Sequence, residues 1–367
     1  MKKFIILSVA VVILSGCVVQ QRKQTTTLIP GAGIFKTGDK GEQWAVKGDL
    51  LATGGAAQKF GYANVTFMKF DPQDASTVYV GTENALYYSY SRGEGWLKTL
   101  ANQGTINDIA IDPQDKCTLY AAVHNKIFKS IDCSRSWQLM HFSSLANQYF
   151  AAILVSQQDS DHIFVGASDG ALIHSRNAGV AWDVLRYVDS PIYKFVPHPH
   201  EPSSFYMVDQ RDSVLKTSDL GVTWKILADL PVHTPAGVVK VDERKNPILL
   251  GQLPGARTYM DMTFDTSQKD GILYASGYGL FRLIDGEYWQ EIEILNKPQQ
   301  ARIFSIAIDG TTGKSLYFAT TGAFYRSENG GLDWTVRALP ASGMPKILKM
   351  APDNPSELYL AFYAPAK

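Results

Sequence analysis

The chain lacks several features that would point directly to a function. Its 35 Lys and Arg balance its 35 Asp and Glu, so the formal net charge is zero and charge predicts no nucleic-acid partner and no anionic membrane surface. Cysteine occurs only three times in 367 residues, without zinc-type spacing. Phosphate-binding glycine motifs and a nucleophile elbow are also missing. We therefore expect no cofactor, while the 45% apolar content excludes disorder.

An apolar run opens the chain. Lys2 and Lys3 precede Phe4 to Leu14, and small residues follow up to Cys17. The run is too short for a membrane-spanning helix and is typical of a signal peptide. Leu14-Ser15-Gly16-Cys17 resembles the bacterial lipobox, which implies cleavage after residue 16 and lipid attachment at Cys17.

This resemblance divides the chain into a signal peptide over 1–16, a lipidated cysteine with a polar tether over 17–30, and one domain over 31–367. Because residue 18 is Val and not the Asp that retains lipoproteins in the inner membrane, the outer membrane is favoured if the source is Gram-negative. The alternative is an ordinary secretory signal with an incidental cysteine.

All seven tryptophans recur at intervals of 41 to 65 residues. Six of them close a segment of the form S/T-x-D-x-G-x-x-W, which we call the octet, and the seventh closes a shortened version, Asp285 to Trp289. A fixed motif with a period in the forties is typical of a blade-repeat protein. One octet per blade predicts seven blades.

Each repeat contains four short β-rich runs bounded by turn residues. In the second repeat these runs are 109–113, 119–123, 127–130 and 137–140. The carboxyl end supplies only first and second strands, 346–350 and 358–362, whereas the amino end supplies only third and fourth strands, 33–36 and 44–46. We therefore predict an all-β, seven-bladed propeller of four-stranded antiparallel blades whose two ends share one blade and close the ring.

The octet resembles the Asp-box, or bacterial neuraminidase repeat, of sialidases, sortilin-type receptors, xyloglucanases and photosystem II assembly-factor-like propellers. In those families the box is structural and lies on the blade periphery. The resemblance implies structural roles for Asp39, Trp44, Trp96, Asp132, Trp137, Trp182, Asp219, Trp224, Asp285, Trp289 and Trp334. Ser91, Asn177 and Asn329 replace the Asp, and Ser134 replaces the Gly, but these residues can still hydrogen-bond the turn.

Two cysteines, Cys117 and Cys133, flank a predicted hairpin turn at 124–126, which places them roughly opposite each other on adjacent strands. An exported compartment favours their oxidation, so we predict a disulfide. A cross-strand pair that misses the required geometry is the alternative.

Catalytic residues are not predicted. A sialidase would need an early F/Y-R-I-P segment, and the late segment 281–284 lacks its Pro. A xyloglucanase-like centre lies between two propellers, and this chain has residues for one. Asp108, Lys194 and Asp261 begin first strands, so we expect them at the channel mouth, either as ion pairs or as a carboxylate pair around a sugar bond.

Two further features bear on binding. The insertion at about 229–257 predicts either a recognition loop on one face or a segment that packs over an exposed edge. His198-Pro199-His200 has no patterned third ligand, so no metal site is predicted.

Among families with this box, the chain is most similar to sortilin-like and photosystem II assembly-factor-like propellers. The resemblance implies a monomer that acts as a lipid-anchored, non-catalytic envelope scaffold for a protein or peptide partner. The alternative is a cell-surface glycoside hydrolase or glycan-binding propeller.

Overall fold

The structure, a computed structural model, describes residues 33–51, 58–59, 63–211, 213–296 and 299–364. The predicted signal peptide, Cys17 and the tether lie outside these residues. Within the described ranges the chain is built of β-strands and two 3-10 turns, Leu227–Asp229 and Leu250–Gln252. No helix in this part of the chain could cross a bilayer.

The strands form seven four-stranded antiparallel blades, as predicted. The amino-terminal strands are β1 (Gly33–Thr37) and β2 (Ala45–Val46), followed by the small pair β3 (Asp49–Leu50) and β4 (Gln58–Lys59). Blade 1 is β5 (Val65–Asp71), β6 (Asp74–Thr82), β7 (Leu86–Ser89) and β8 (Leu97–Thr99). Blade 2 is β9 (Ile106–Ile111), β10 (Leu119–Val123), β11 (Lys126–Ser130) and β12 (Gln138–Phe142). Blade 3 is β13 (Phe150–Val155), β14 (Ile163–Ala167), β15 (Ala171–Ser175) and β16 (Asp183–Tyr187).

The remaining blades follow the same order. Blade 4 is β17 (Ile192–Pro197), β18 (Phe205–Asp209), β19 (Ser213–Thr217) and β20 (Lys225–Ile226). After β21 (Val232–His233), blade 5 is β22 (Tyr259–Asp265), β23 (Gly271–Ser276), β24 (Leu280–Ile284) and β25 (Tyr288–Ile292). Blade 6 is β26 (Ser305–Ile308), β27 (Leu316–Ala319), β28 (Phe324–Ser327) and β29 (Thr335–Arg337). Blade 7 begins with β30 (Met344–Ala351) and β31 (Asn354–Tyr363).

Blade 7 closes the ring. Its strand order is β30, β31, β1, β2, so the last strands of the chain pair with the first. The register of β1 against β31 runs from Gly33 opposite Phe362 to Thr37 opposite Leu358. The prediction that the two ends share one blade is confirmed.

The core lies between blades. Second strands such as β10, β14 and β18 are buried at every residue, because the neighbouring blades cover both of their faces. Fourth strands such as β12 and β16 are largely exposed at the rim. Burial is therefore greatest in the second strands and falls toward the rim, and the partly exposed first strands line the centre of the ring.

The octets form hairpin loops between third and fourth strands. In each full octet a Ser or Thr hydroxyl accepts a hydrogen bond from the backbone N–H four residues later, as Thr217 does from Gly221 at 2.9 Å. Where Asp or Asn is present, its side-chain oxygen accepts a second backbone bond, as Asp219 does from Thr223 and Asn177 from Ala181. Hydrogen bonds from Ser136 lower the pKa of Asp132 to about 2.

The shortened octet of blade 5 differs from the other six. Asp285 and Gly286 both have positive φ, 50° and 73°, and are the central residues of a turn in which the Glu287 N–H donates to the Ile284 carbonyl at 2.9 Å. Trp289 lies within β25 and is fully buried. This segment is therefore a tight hairpin, and the structural role predicted for Asp285 is that of a turn residue.

The insertion covers the outer edge of blade 5. Its strand β21 pairs in parallel with β25 and gives this blade a fifth strand. Leu227, Val232 and Leu250 pack on Trp289, whose indole N–H donates to the Leu227 carbonyl at 2.8 Å. These contacts agree with the second interpretation of the insertion, a segment that packs over an exposed edge.

The predicted disulfide is present between Cys117 and Cys133. Cys117 precedes β10 and Cys133 follows β11, and the Cys133 N–H donates to the Cys117 carbonyl at 3.0 Å. The bond therefore joins the open end of the central hairpin of blade 2.

Candidate functional site

A β-bulge at the start of the first strands shapes the centre of the ring. In six blades the pairing of first and second strands shifts by one residue near this point. A bulge re-aims side chains locally. The shifts bracket one residue in each of these strands, namely Thr66, Asn107, Ala151, Tyr193, Met260 and Lys346. All six line the axial channel.

The channel has a volume of about 770 Å³ and is lined by the first strands of six blades together with Arg302 and Phe304, which precede the first strand of blade 6. Its walls are mainly apolar, with Ile109, Ile153, Phe195, Met262 and Ile347 among them. The three residues predicted at the mouth, Asp108, Lys194 and Asp261, all line this channel. We call the side of the ring where the first strands begin the mouth face.

Asp108 ties three blades together. Its carboxylate pairs with the Lys69 ammonium of blade 1 at 2.6 Å and accepts the Ile153 N–H of blade 3 at 3.2 Å. Lys69 also donates to the Ile109 carbonyl at 2.6 Å. The side chain of Asp108 is almost fully buried, so this carboxylate is held by its partners.

Asp261 repeats this arrangement in blade 5. It accepts the Ile306 N–H of blade 6 at 3.2 Å and lies 3.4 Å from the Lys194 ammonium of blade 4. Lys194 also donates to the Tyr259 hydroxyl at 3.2 Å. Burial opposes the charge of Lys194, but Tyr259 and Asp261 outweigh it and raise the pKa of Lys194. Burial raises the pKa of Tyr259 to about 12.

Three lysines of the channel, Lys69, Lys346 and Lys349, were not predicted from the sequence. Lys69 and Lys349 lie two residues after the column of first-strand residues that contains Asp108, Lys194 and Asp261. Alternate strand residues share a face, so the position two residues after the column also faces the axis. Comparing that position across the repeats would have revealed both lysines.

Lys349 differs from Lys69 and Lys194, the two other lysines that lie past the channel mouth. Its ammonium makes no hydrogen bond or ion pair within the described part of the chain, whereas Lys69 and Lys194 each have a carboxylate. Burial, together with the charges of Lys194 and Lys69, lowers the pKa of Lys349 to about 8, although Asp261 opposes this shift.

Charge is therefore distributed unevenly. The lining includes five cationic side chains, Lys69, Lys194, Arg302, Lys346 and Lys349, against the two carboxylates Asp108 and Asp261. The whole chain carries no net charge. A cavity with apolar walls and an excess of positive charge attracts anions, because its charges are poorly screened by solvent.

Exposed apolar side chains extend the mouth face outward. Phe142, Leu145 and Tyr149 follow one connection, from the outer strand of blade 2 to the first strand of blade 3. Tyr149 lies near Tyr193 at the channel mouth. Tyr187 ends the outer strand of blade 3 and is 61% exposed. We call these five residues the aromatic patch.

His198 belongs to a second polar cluster, at the junction of blades 4 and 5. His198, Glu201 and Asp270 offer ligand atoms within 4.8 Å of one another. The Lys216 ammonium already lies 2.7 Å from Asp270 and 3.1 Å from Glu201. Lys216 thus supplies the positive charge of this cluster, and a metal ion would have to displace it.

The fold and the channel define the class as a seven-bladed β-propeller with a cationic, apolar-walled axis. Among solved structures, the GH74 xyloglucanase from Xanthomonas campestris matches with a TM-score of 0.59 and 16% identity over 82% of this chain. This chain spans about half of that protein, 51% of its length. The GH74 enzyme from Niastella koreensis is similar, with a TM-score of 0.58, 15% identity, and coverage of 86% of this chain and 52% of the enzyme.

YCF48 from Cyanidioschyzon merolae matches with a TM-score of 0.57 and 13% identity, covering 82% of this chain and 95% of YCF48. YCF48 bound to D1 peptide matches equally well in TM-score, with 83% of this chain and 93% of that protein covered. No family model matches the chain, and no curated protein matches its sequence. At these identities the comparisons show the fold.

Proposed function

We propose that this chain is a lipid-anchored, non-catalytic scaffold of the cell envelope that binds a protein partner through its mouth face. The aromatic patch carries this proposal, because exposed aromatic side chains grouped on one face are typical of protein interfaces. The engagement of Asp108 and Asp261 in contacts between blades supports a structural role for both carboxylates. The peripheral octets are proposed to be Asp-boxes.

Similarity of size also supports the scaffold. The fold matches nearly the full length of YCF48, a protein solved with a bound peptide, but half of a xyloglucanase.

The test is capture of partners from detergent-solubilised envelopes, followed by mass spectrometry. Tyr149→Ser and Tyr193→Ser should lose the captured partner, whereas Leu332→Ser should retain it, since Leu332 is 80% exposed but belongs to an octet loop. Equal capture by all three variants would contradict the proposal. Cys17→Ala should release the protein from membranes. A Cys17→Ala variant that stays membrane-bound would contradict the proposed lipid anchor.

The second candidate is a glycan-binding or glycoside-cleaving propeller. It is favoured by two carboxylates in one channel of about 770 Å³ with tyrosines at the mouth, because sugars stack on aromatic rings. Purified protein should then turn over a plant glucan or a sialoside, and Asp108→Asn and Asp261→Asn should abolish turnover while melting cooperatively. Absence of turnover in the wild-type protein would count against the enzyme.

A further inference from the structure

Past its mouth, the axial channel has one more cationic than anionic side chain. Arg302 and Lys346 lie at the mouth, and further along the walls three ammonium groups, Lys69, Lys194 and Lys349, face the two carboxylates of Asp108 and Asp261. Lys69 is paired with Asp108 and Lys194 with Asp261, so among the described residues past the mouth Lys349 is the lysine without an ion pair. An unpaired charge in a partly buried, apolar-walled site is costly, and a bound anion would lower that cost.

We infer that the channel is a binding site for a carboxylate carried on an apolar body, with Lys349 as its principal cationic contact. Past the mouth, the one unmatched ammonium of Lys349 corresponds to the single charge of a carboxylate, whereas a phosphate monoester would bring more negative charge to that point of the channel. The apolar walls formed by Ile109, Ile153, Met262 and Ile347 would bury the apolar part of the ligand.

Further contacts are available around Lys349. The Tyr259 hydroxyl lies beside Lys194 and can donate a hydrogen bond to an anion. At the mouth, Arg302 over Phe304 and Lys346 over Tyr363 add positive charge along the route of entry. Such a field raises the rate at which an anion is captured.

This inference is independent of the proposed scaffold function, since a small carboxylate can enter whether or not a protein docks on the mouth face. The same chemistry has two sources, a free carboxylic acid and the carboxyl terminus of a peptide. Both would place one carboxylate beside Lys349 and an apolar body against the walls.

The test is isothermal titration calorimetry on the full-length protein with 3-phenylpropanoate and with its neutral amide. We expect one acid bound per chain, and binding of the amide weaker by about tenfold or more, as for loss of a charged hydrogen bond. Lys349→Met should weaken binding of the acid by a similar factor, whereas Lys349→Arg should keep most of the affinity. Lys98→Met removes an exposed lysine of a fourth strand and should leave the affinity for the acid unchanged.

A tripeptide Ala-Leu-Phe, with a free or an amidated carboxyl terminus, distinguishes the two sources. Tighter binding of the free peptide than of 3-phenylpropanoate identifies a peptide terminus, and the reverse order identifies a small acid. The inference is overturned if acid and amide bind alike, if neither carboxylate binds, if phenyl phosphate binds more tightly than the acid, or if Lys349→Met binds the acid as the wild type does.

Discussion

The Lys349 ammonium lies in the channel near Lys194 and Lys69, where its side chain is partly buried. Its pKa of about 8 is below the ordinary lysine value of 10.5. Between these two values the unfolded chain binds more protons than the folded chain, so stability rises with pH. Below about pH 8 both states are protonated, and the folded state bears the full cost of the buried charge.

Lys349→Met should therefore be more stable than the wild type at pH 7, by about 1 to 2 kcal/mol given that the channel admits water. The difference should shrink at pH 9.5, where the wild-type lysine is neutral. Urea denaturation of both proteins at the two pH values measures it, and contributions of other groups cancel in the comparison. A difference that stays constant with pH would contradict the assigned protonation of Lys349.

Single residues show what the sequence can and cannot reveal about the site. Asp108, Lys194 and Asp261 were found because they occupy one repeated position, and all three line the channel. Lys349 was not predicted, because it lies two residues further along its strand than this repeated position. The cluster of His198 with Asp270 was not predictable, since 72 residues separate them and only the packing of two blades joins them.

At the level of elements, the octet repeats one hydrogen-bonded loop with small changes. Asp219 accepts the Thr223 N–H at 2.9 Å, and Asn177 and Asn329 make the equivalent bond. Ser91 is too short to reach the residue four positions later, and its hydroxyl contacts Ser89 at 3.3 Å. The loop of blade 1 is therefore the one full octet without this second bond.

Ser91→Asp should restore the bond and stabilise the protein by about 1 kcal/mol, whereas Asp219→Ala should destabilise it by a similar amount. Asn177→Asp is the matched control, because it exchanges one acceptor for another. Equilibrium denaturation in urea compares the three variants. If Ser91→Asp is no more stable than Asn177→Asp, the second bond has little effect on these loops.

The disulfide should stabilise blade 2 through the chain segment that it closes. Cys117 and Cys133 are 16 residues apart, and a loop of this length corresponds to about 3 kcal/mol. The double variant Cys117→Ser/Cys133→Ser should lose that amount in denaturant unfolding. Reductant should destabilise the wild type and leave the double variant unchanged; an equal response would show that the disulfide is not the cause.

The elements themselves followed closely from sequence periodicity. In blade 2 three of the four predicted runs match strands within two residues, and β9 begins three residues earlier than expected because its bulged start does not alternate. The insertion could be located but not oriented. The insertion lies on β25 because it packs over the buried Trp289. The shortened octet of blade 5 places Trp289 in a strand and not in a loop, which the sequence pattern did not show.

At the scale of the whole molecule, stability depends on the closing blade. Leu360 of β31 lies opposite Phe35 of β1 and is fully buried with Leu358 and Phe362. These contacts join the two ends of the chain. The seven-fold ring and this closure were predicted because the end repeats are each half of a blade.

Leu360→Ala should destabilise the ring by about 3 kcal/mol, the usual cost of a cavity in a well-packed core. Val46→Ala removes an exposed side chain from β2 of the same blade and should have little effect. Denaturant unfolding and limited proteolysis measure both variants. If both substitutions lower the free energy of unfolding by a similar amount, the buried contacts of the closing blade stabilise the protein no more than its exposed side chains do.

The pairing of β1 with β31 also imposes an order on biosynthesis. A ribosome makes β1 early and β31 last among the described strands, so β1 has to wait for nearly the entire chain before it finds its partner. Until then the nascent protein is an open arc with unpaired strand edges at both ends, and such edges promote aggregation. A chaperone that shields the growing arc would therefore matter most just before translation or delivery of the chain is complete.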